Sequence, residues 1–244
     1  RPLASSADAR IHLELRQRFP NSQLVVVDHH LAHAAAAFYV SPFPDAKVLT
    51  LDRSGDLRCG ALWNAHGSEM DLERELYFPD SLGHLYGRVT QLLGFAPGSD
   101  EHKVQWLSTS GDDRFVDLFQ RILSAGEWPR LDRSYFDGNR IGHGGFSAEF
   151  YRALGLEDGE VPPPALHAHI AAGVQRATEH AVIRMAGKGE RLCLGGGLGL
   201  NALLVEALER SGNWGEVYVQ PSAGNPGSAI GAAAHTWHHS CREQ

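Results

Sequence analysis

Short apolar runs alternate with stretches of helical length along most of this chain, and no other feature restricts its fold as much. Residues 24–27 read Leu-Val-Val-Val, residues 48–51 Val-Leu-Thr-Leu and residues 191–194 Arg-Leu-Cys-Leu. Runs this short, rich in β-branched residues and closed by polar or glycine residues, read as buried strands. Residues 216–219 read the same way, and residues 57–64 and 69–78 read as two strands around the turn 65–68. Between the strands lie segments that read as helices: 7–19, 30–39, 82–93 ended by Gly94, one starting at Ser99, 112–123, 166–187, 201–210 and 228–237. Strands alternating with helices indicate α/β architecture. Residues 124–165 are less regular, with one further strand expected near 131–136. The run Pro162-Pro163-Pro164 is the strongest break and a candidate subdomain boundary near 160–165.

Composition removes several classes of function. The chain has 244 residues, 43% hydrophobic and 21% charged, which is ordinary globular composition. A net charge of −7 argues against binding nucleic acid through a basic surface. No apolar run approaches the ~18 residues needed to cross a membrane. Arg1-Pro2-Leu3 leads into a polar stretch unlike a secretory leader. Cys59, Cys193 and Cys241 are too few and too scattered for a disulfide framework or a CxxC metal site. A reducing, cytoplasmic setting is the expectation.

The chemistry concentrates at Asp28-His29-His30-Leu31-Ala32-His33, followed 19 residues later by Asp52. Asp28 suits an N-cap, and on the helix it starts His29 and His33 stack on one face while His30 points elsewhere. Two imidazoles and a carboxylate from a strand end make half of a divalent-metal site. Gly195-Gly196-Gly197 joins a strand to a helix and has the form of a phosphate cradle, although a tight packing turn would look the same. It is neither a P-loop nor a dinucleotide fingerprint. A second glycine loop, Gly224-Asn225-Pro226-Gly227, precedes the last helix. Ser99-Asp100-Glu101-His102-Lys103 is either a solvated helix start or a place where Lys103, held by Glu101, meets a phosphate or carbamoyl oxygen.

Together these segments resemble a known family. Residues 28–39 with Ser41-Pro42-Phe43, then Leu51-Asp52, Phe78-Pro79-Asp80-Ser81-Leu82-Gly83, Gly98-Ser99-Asp100-Glu101 with Lys103, Gly196-Gly197 with Asn201, and Gly227-Ser228-Ala229-Ile230-Gly231 follow in order. They resemble the O-carbamoyltransferases of antibiotic and nodulation-factor biosynthesis, whose ATPase domain is related to the enzyme that makes threonylcarbamoyladenosine in tRNA. The resemblance implies an actin-like, sugar-kinase-like (RNase H-like) ATPase fold, here without its N-terminal strands and without the YrdC-like domain that follows in that family. It implies transfer of a carbamoyl group from carbamoyl adenylate, made from carbamoyl phosphate and ATP, to a hydroxyl-bearing small-molecule acceptor. By the same resemblance His29, His33, Asp52 and Asn225 are the metal positions, with iron(II) the expected ion. Gly196, Gly197, Asn201 and Gly224 lie against the nucleotide, and Lys103 and Glu101 serve catalysis. A sheet short of strands would leave room for a second copy or a partner chain.

The chain departs from the family pattern in two places that matter. Asn225 stands where the family usually has Asp, which removes one negative charge from the metal site. Arg53 stands where the family usually has Gly, within Asp52-Arg53-Ser54-Gly55-Asp56. The alternative these departures raise is a nucleotide-binding or interaction domain impaired in turnover, which completes a partner.

Overall fold

The computed structural model describes residues 6–241. Helix α1 spans Ser6–Arg18 and helix α2 His29–Phe38, and a three-stranded antiparallel meander follows, β1 Asp45–Gly55, β2 Arg58–His66 and β3 Glu69–Tyr77. Helices α3 Leu82–Leu92, α4 Glu101–Ser108, α5 Val116–Leu123, α6 Ala148–Leu154 and α7 Pro164–Ala186 come next. Strand β4 Gly189–Gly195, helix α8 Ala202–Arg210, strand β5 Trp214–Val219 and helix α9 Asn225–Thr236 complete the order.

The strands form one mixed sheet in the order β3-β2-β1-β4-β5. β1 pairs in parallel with β4, and β4 with β5, while β2 runs against both of its neighbours. Helices cover both faces, as buried parallel strands require. Val48 of β1, Ala61 and Trp63 of β2 and Cys193 of β4 pack with Ala34 and Phe38 of α2 on one face. Leu49 and Leu51 of β1, with Leu192 and Leu194 of β4, pack on the other against α3, α5, α7 and α8. Side chains alternate along a strand, so Thr50 and Asp52 share the α2 face with Val48. The second core draws on residues before and after the proline run, Leu154 and Ile170 among them.

Two expected strands are corrected. Residues 24–27 take no regular structure and pair with no strand among the described residues, and Val25 and Val26 are exposed. Their apolar run reads as a strand only if a partner supplies the hydrogen bonds. Residues 131–136 hold a short 3-10 turn, Arg133–Tyr135, because Asp132 accepts the Ser134 N–H and pulls the backbone into a turn. Only an isolated bridge between Phe136 and Phe146 remains of the expected strand. No helix among the described residues is long and apolar enough to cross a membrane.

Candidate metal and phosphate site

The site gathers where the parallel strands end, the position at which open α/β sheets bind ligands. α2 begins there because the Asp28 carboxylate accepts the N–H groups of His30 and Leu31. Arg58 of β2 donates to the same carboxylate at 2.8 Å and ties the helix start to the sheet. His30 is fully buried and its Nδ1 lies 2.9 Å from Thr50 Oγ1. That contact fixes how α2 sits along β1.

With α2 so placed, its first turn meets the strand end. His29 Nε2 is 3.0 Å and His33 Nε2 3.1 Å from the same Asp52 oxygen, Oδ2. The three donor atoms all lie within 4.8 Å of one another. His33 is buried, and His29 keeps a partly open edge. Asp52 Oδ1 accepts the Arg53 N–H at 2.7 Å, which aims the other oxygen at the histidines. Burial works against the Asp52 charge, but hydrogen bonds from His29, His33 and the Arg53 N–H outweigh it and hold the carboxyl well below the usual range. The bond to Asp52 raises the His29 pKa against the effect of burial. Burial, with His29 alongside, pushes His30 down to about 4.

Glycines make the approach geometrically feasible. A Cβ on Gly55 would overlap the His29 ring and lie 2.6 Å from its Nε2. Gly196, at φ +85°, passes so close to Leu51 that a Cβ would overlap the Leu51 carbonyl, and a Cβ on Gly197 would lie 3.1 Å from Asp52 Oδ1. The triple glycine therefore presses the end of β4 against the end of β1. It continues as a 3-10 turn, Gly197–Leu200, into α8. The second glycine loop adjoins the first, since Gly196 N donates to Ala223 O at 2.9 Å. Gly224 takes the N-cap position of α9, and α9 crosses α2 where Gly231 meets the backbone of Ala32.

Of the residues singled out from sequence, His29, His33 and Asp52 come together. Asn225 is the first residue of α9 and is exposed, and no bond joins its side chain to those three among the described residues. Asn201 is buried. It caps α8 through the Leu204 N–H and exchanges two hydrogen bonds with Gln175, at 2.9 and 3.1 Å. Lys103 pairs with Asp100 at 3.0 Å, and Glu101 accepts the Gly98 N–H at 2.6 Å. Glu101 thus shapes the turn before α4, and the residue that holds Lys103 is Asp100. Sequence reading named neither Thr50 nor Arg58 as a support. Strand alternation was the available signal for Thr50, and nothing local marks Arg58.

Fold and site define an α/β protein with a two-histidine, one-carboxylate centre at the ends of its parallel strands. Residues 7–234 match the sequence profile described as carbamoyltransferase N-terminus, and the chain belongs to that family. It is 34% identical over 224 residues to nodulation protein NolNO of Sinorhizobium fredii, covering 87% of this chain and 31% of that protein. It is 33% identical over 219 residues to nodulation protein NolO of Bradyrhizobium diazoefficiens, covering 85% and 37%. An uncharacterised Synechocystis protein, sll1178, is 35% identical over 226 residues, covering 88% and 37%. The chain spans about a third of the length of these curated relatives.

Proposed function

We propose that this chain is the nucleotide- and metal-binding part of an ATP-dependent O-carbamoyltransferase that acts on a hydroxyl-bearing small molecule. The observation that carries the reading is the convergence of His29 Nε2 and His33 Nε2 on one oxygen of Asp52, at 3.0 and 3.1 Å. Family membership supplies the reaction class. The mixed sheet, with β2 alone reversed and helices on both faces, supports an actin-like lobe.

The donor set fits a divalent metal. Two imidazoles and one carboxylate, with positions left open, suit iron(II) and also manganese or zinc. Such an ion would polarise phosphate and carbamoyl oxygens. Asn225 is retained as a fourth donor only by resemblance, since its amide oxygen would carry no charge to the ion.

In the proposed reaction the acceptor oxygen bonds to the carbamoyl carbon of carbamoyl adenylate. The bond from that carbon to the phosphate oxygen breaks, AMP departs, and the hydroxyl proton is lost to a base. The leaving phosphate needs donors. The ends of α2, α3, α8 and α9 that face the strand ends are all N-terminal, which favours an anion. Backbone at Gly196, Gly197 and Gly224 would line the nucleotide, and Asn201 would support that wall from the N-cap of α8. Lys103 sits in a surface ion pair that solvent screens, so a phosphate would draw it away from Asp100 at little cost. ATP, carbamoyl phosphate and a hydroxyl acceptor are thus the proposed ligands, in a cytoplasmic setting.

The test is metal content and carbamoyl transfer in the full-length protein, beside a His29→Ala/His33→Ala variant. Bound divalent metal and transfer, both lost in the variant, is the expected outcome. Metal held equally by both proteins would overturn the site, and a wild type that binds metal and ATP without transfer would favour the impaired interaction domain.

A further inference from the structure

Alternation along β1 sends Arg53 to the face opposite Asp52, toward α3 and the turn before α4. Its backbone is held firmly. A Cβ on Gly83 of α3 would lie 3.0 Å from both N and Cα of Arg53, and the Ser81 hydroxyl donates to the Arg53 carbonyl at 2.8 Å. The guanidinium reaches the Pro97-Gly98-Ser99 turn, where a Cβ on Gly98 would lie 3.5 Å from Arg53 Nη1. Among the described residues no carboxylate comes within ion-pair distance of it. The acids of that turn are committed, Glu101 to the Gly98 N–H and Asp100 to Lys103.

A second arginine lies on the neighbouring helix α3. Arg88 donates to the carbonyls of Gly144 and Gly145 at 2.9 and 3.1 Å and lies over the Phe136 ring, again with no carboxylate partner among the described residues. His84 of α3 has its pKa pushed down to about 4 by burial, with the charges of Arg88 and Arg53 adding to the effect. Both guanidiniums thus lack a carboxylate partner among the described residues, in a chain whose net charge is −7. One of the two directly follows a metal-site carboxylate.

We propose that Arg53 is an anion-binding residue of this site, giving a charge-assisted contact to a phosphoryl or carboxylate group of a bound substrate. The placement of substrates at the strand ends rests on the carbamoyl-transfer reading. The anion has two sources, the donor side (ATP or carbamoyl phosphate) or an acceptor that carries its own phosphate or carboxylate.

The experiment is calorimetric titration of the full-length wild type, Arg53→Ala and Arg53→Lys with ATP, carbamoyl phosphate and glucose 6-phosphate, with adenosine and glucose as neutral controls. Loss of one charge-assisted contact weakens an anion by about 10- to 100-fold in Arg53→Ala and leaves the neutral controls unchanged. Arg53→Lys, which keeps the charge without the planar fork, retains part of the affinity and shows that the fold tolerates change at this position. Weakening of ATP or carbamoyl phosphate places the contact on the donor side, and weakening of glucose 6-phosphate alone places it on an anionic acceptor. The proposal is overturned if all three anions bind Arg53→Ala within twofold of wild type, or if wild type binds none of them. Metal content and its loss in His29→Ala/His33→Ala report on the carbamoyl-transfer reading separately, so the failure of either is distinguishable from the failure of the other.

Discussion

Gly55→Ala should disable the proposed metal centre without altering any of its proposed ligands. Gly55 ends β1, three residues after Asp52, and its φ is not in the left-handed region, so the backbone accepts an L side chain. The obstacle is the His29 ring. A new Cβ would overlap His29 Cγ and Cδ2 and lie 2.6 Å from Nε2, whereas ordinary contact begins near 3.4 Å. Because Cγ is one bond from the His29 Cβ, tilting the ring cannot relieve the overlap, and χ1 must change rotamer. The move takes Nε2 away from Asp52 Oδ2, now 3.0 Å distant. Losing a hydrogen bond to a charged group costs about 1.5–3 kcal/mol, or about 10- to 150-fold in affinity if the same geometry serves the metal. Chelator-competition titration of the full-length protein reads that loss. His29→Ala should weaken metal binding by a similar factor, and adding Gly55→Ala to it should change little, because both remove one donor. Wild-type metal affinity in Gly55→Ala would refute the reasoning, as would additive losses in the double variant.

Two further outcomes follow from the buried polar groups. Asn201→Ala removes the cap of α8 and leaves the Gln175 amide without two of its partners, so urea unfolding should show a loss of about 2–4 kcal/mol, and a loss below about 1 kcal/mol would contradict the network. His30 and His84 have folded pKa values of about 4, below the ordinary 6.5, so their contribution to stability is full above about pH 6.5 and declines as pH falls toward 4. Each accounts for up to about 3 kcal/mol of that decline. Urea midpoints at pH 7.5 and pH 5 should therefore differ less in His84→Gln than in wild type, and an unchanged difference would remove His84 from the account.

Much of the site could be read from the chain because its logic is local. Spacing of four puts His29 and His33 on one helix face, Asp28 satisfies the first N–H groups of that helix, and Asp52 closes an apolar run. Each statement needs only the helix period, the strand period or a cap, and each survives in the structure. The strand-and-helix alternation likewise indicates α/β architecture, and the structure is α/β with a mixed sheet. The failures are also physical. Residues 24–27 have strand composition but no neighbour to pair with among the described residues, and residues 131–136 yield to an Asp132 side chain that bonds its own backbone.

What the chain alone decides is therefore periodicity: which residues share a face, where helices begin, and which runs are apolar enough to be buried. Tertiary structure decides the rest. The order β3-β2-β1-β4-β5 sets which strand ends lie side by side. The pairing of Asn201 with Gln175, 26 residues apart, buries the Asn201 side chain at the start of α8. The same packing aims two histidines at one oxygen of Asp52, leaves Asn225 exposed at the start of α9, and carries the Arg53 guanidinium to a turn with no free acid. Periodicity is a property of neighbours along the chain, whereas distances and charge balance depend on contacts between distant segments that exist only once the sheet and its helices have packed.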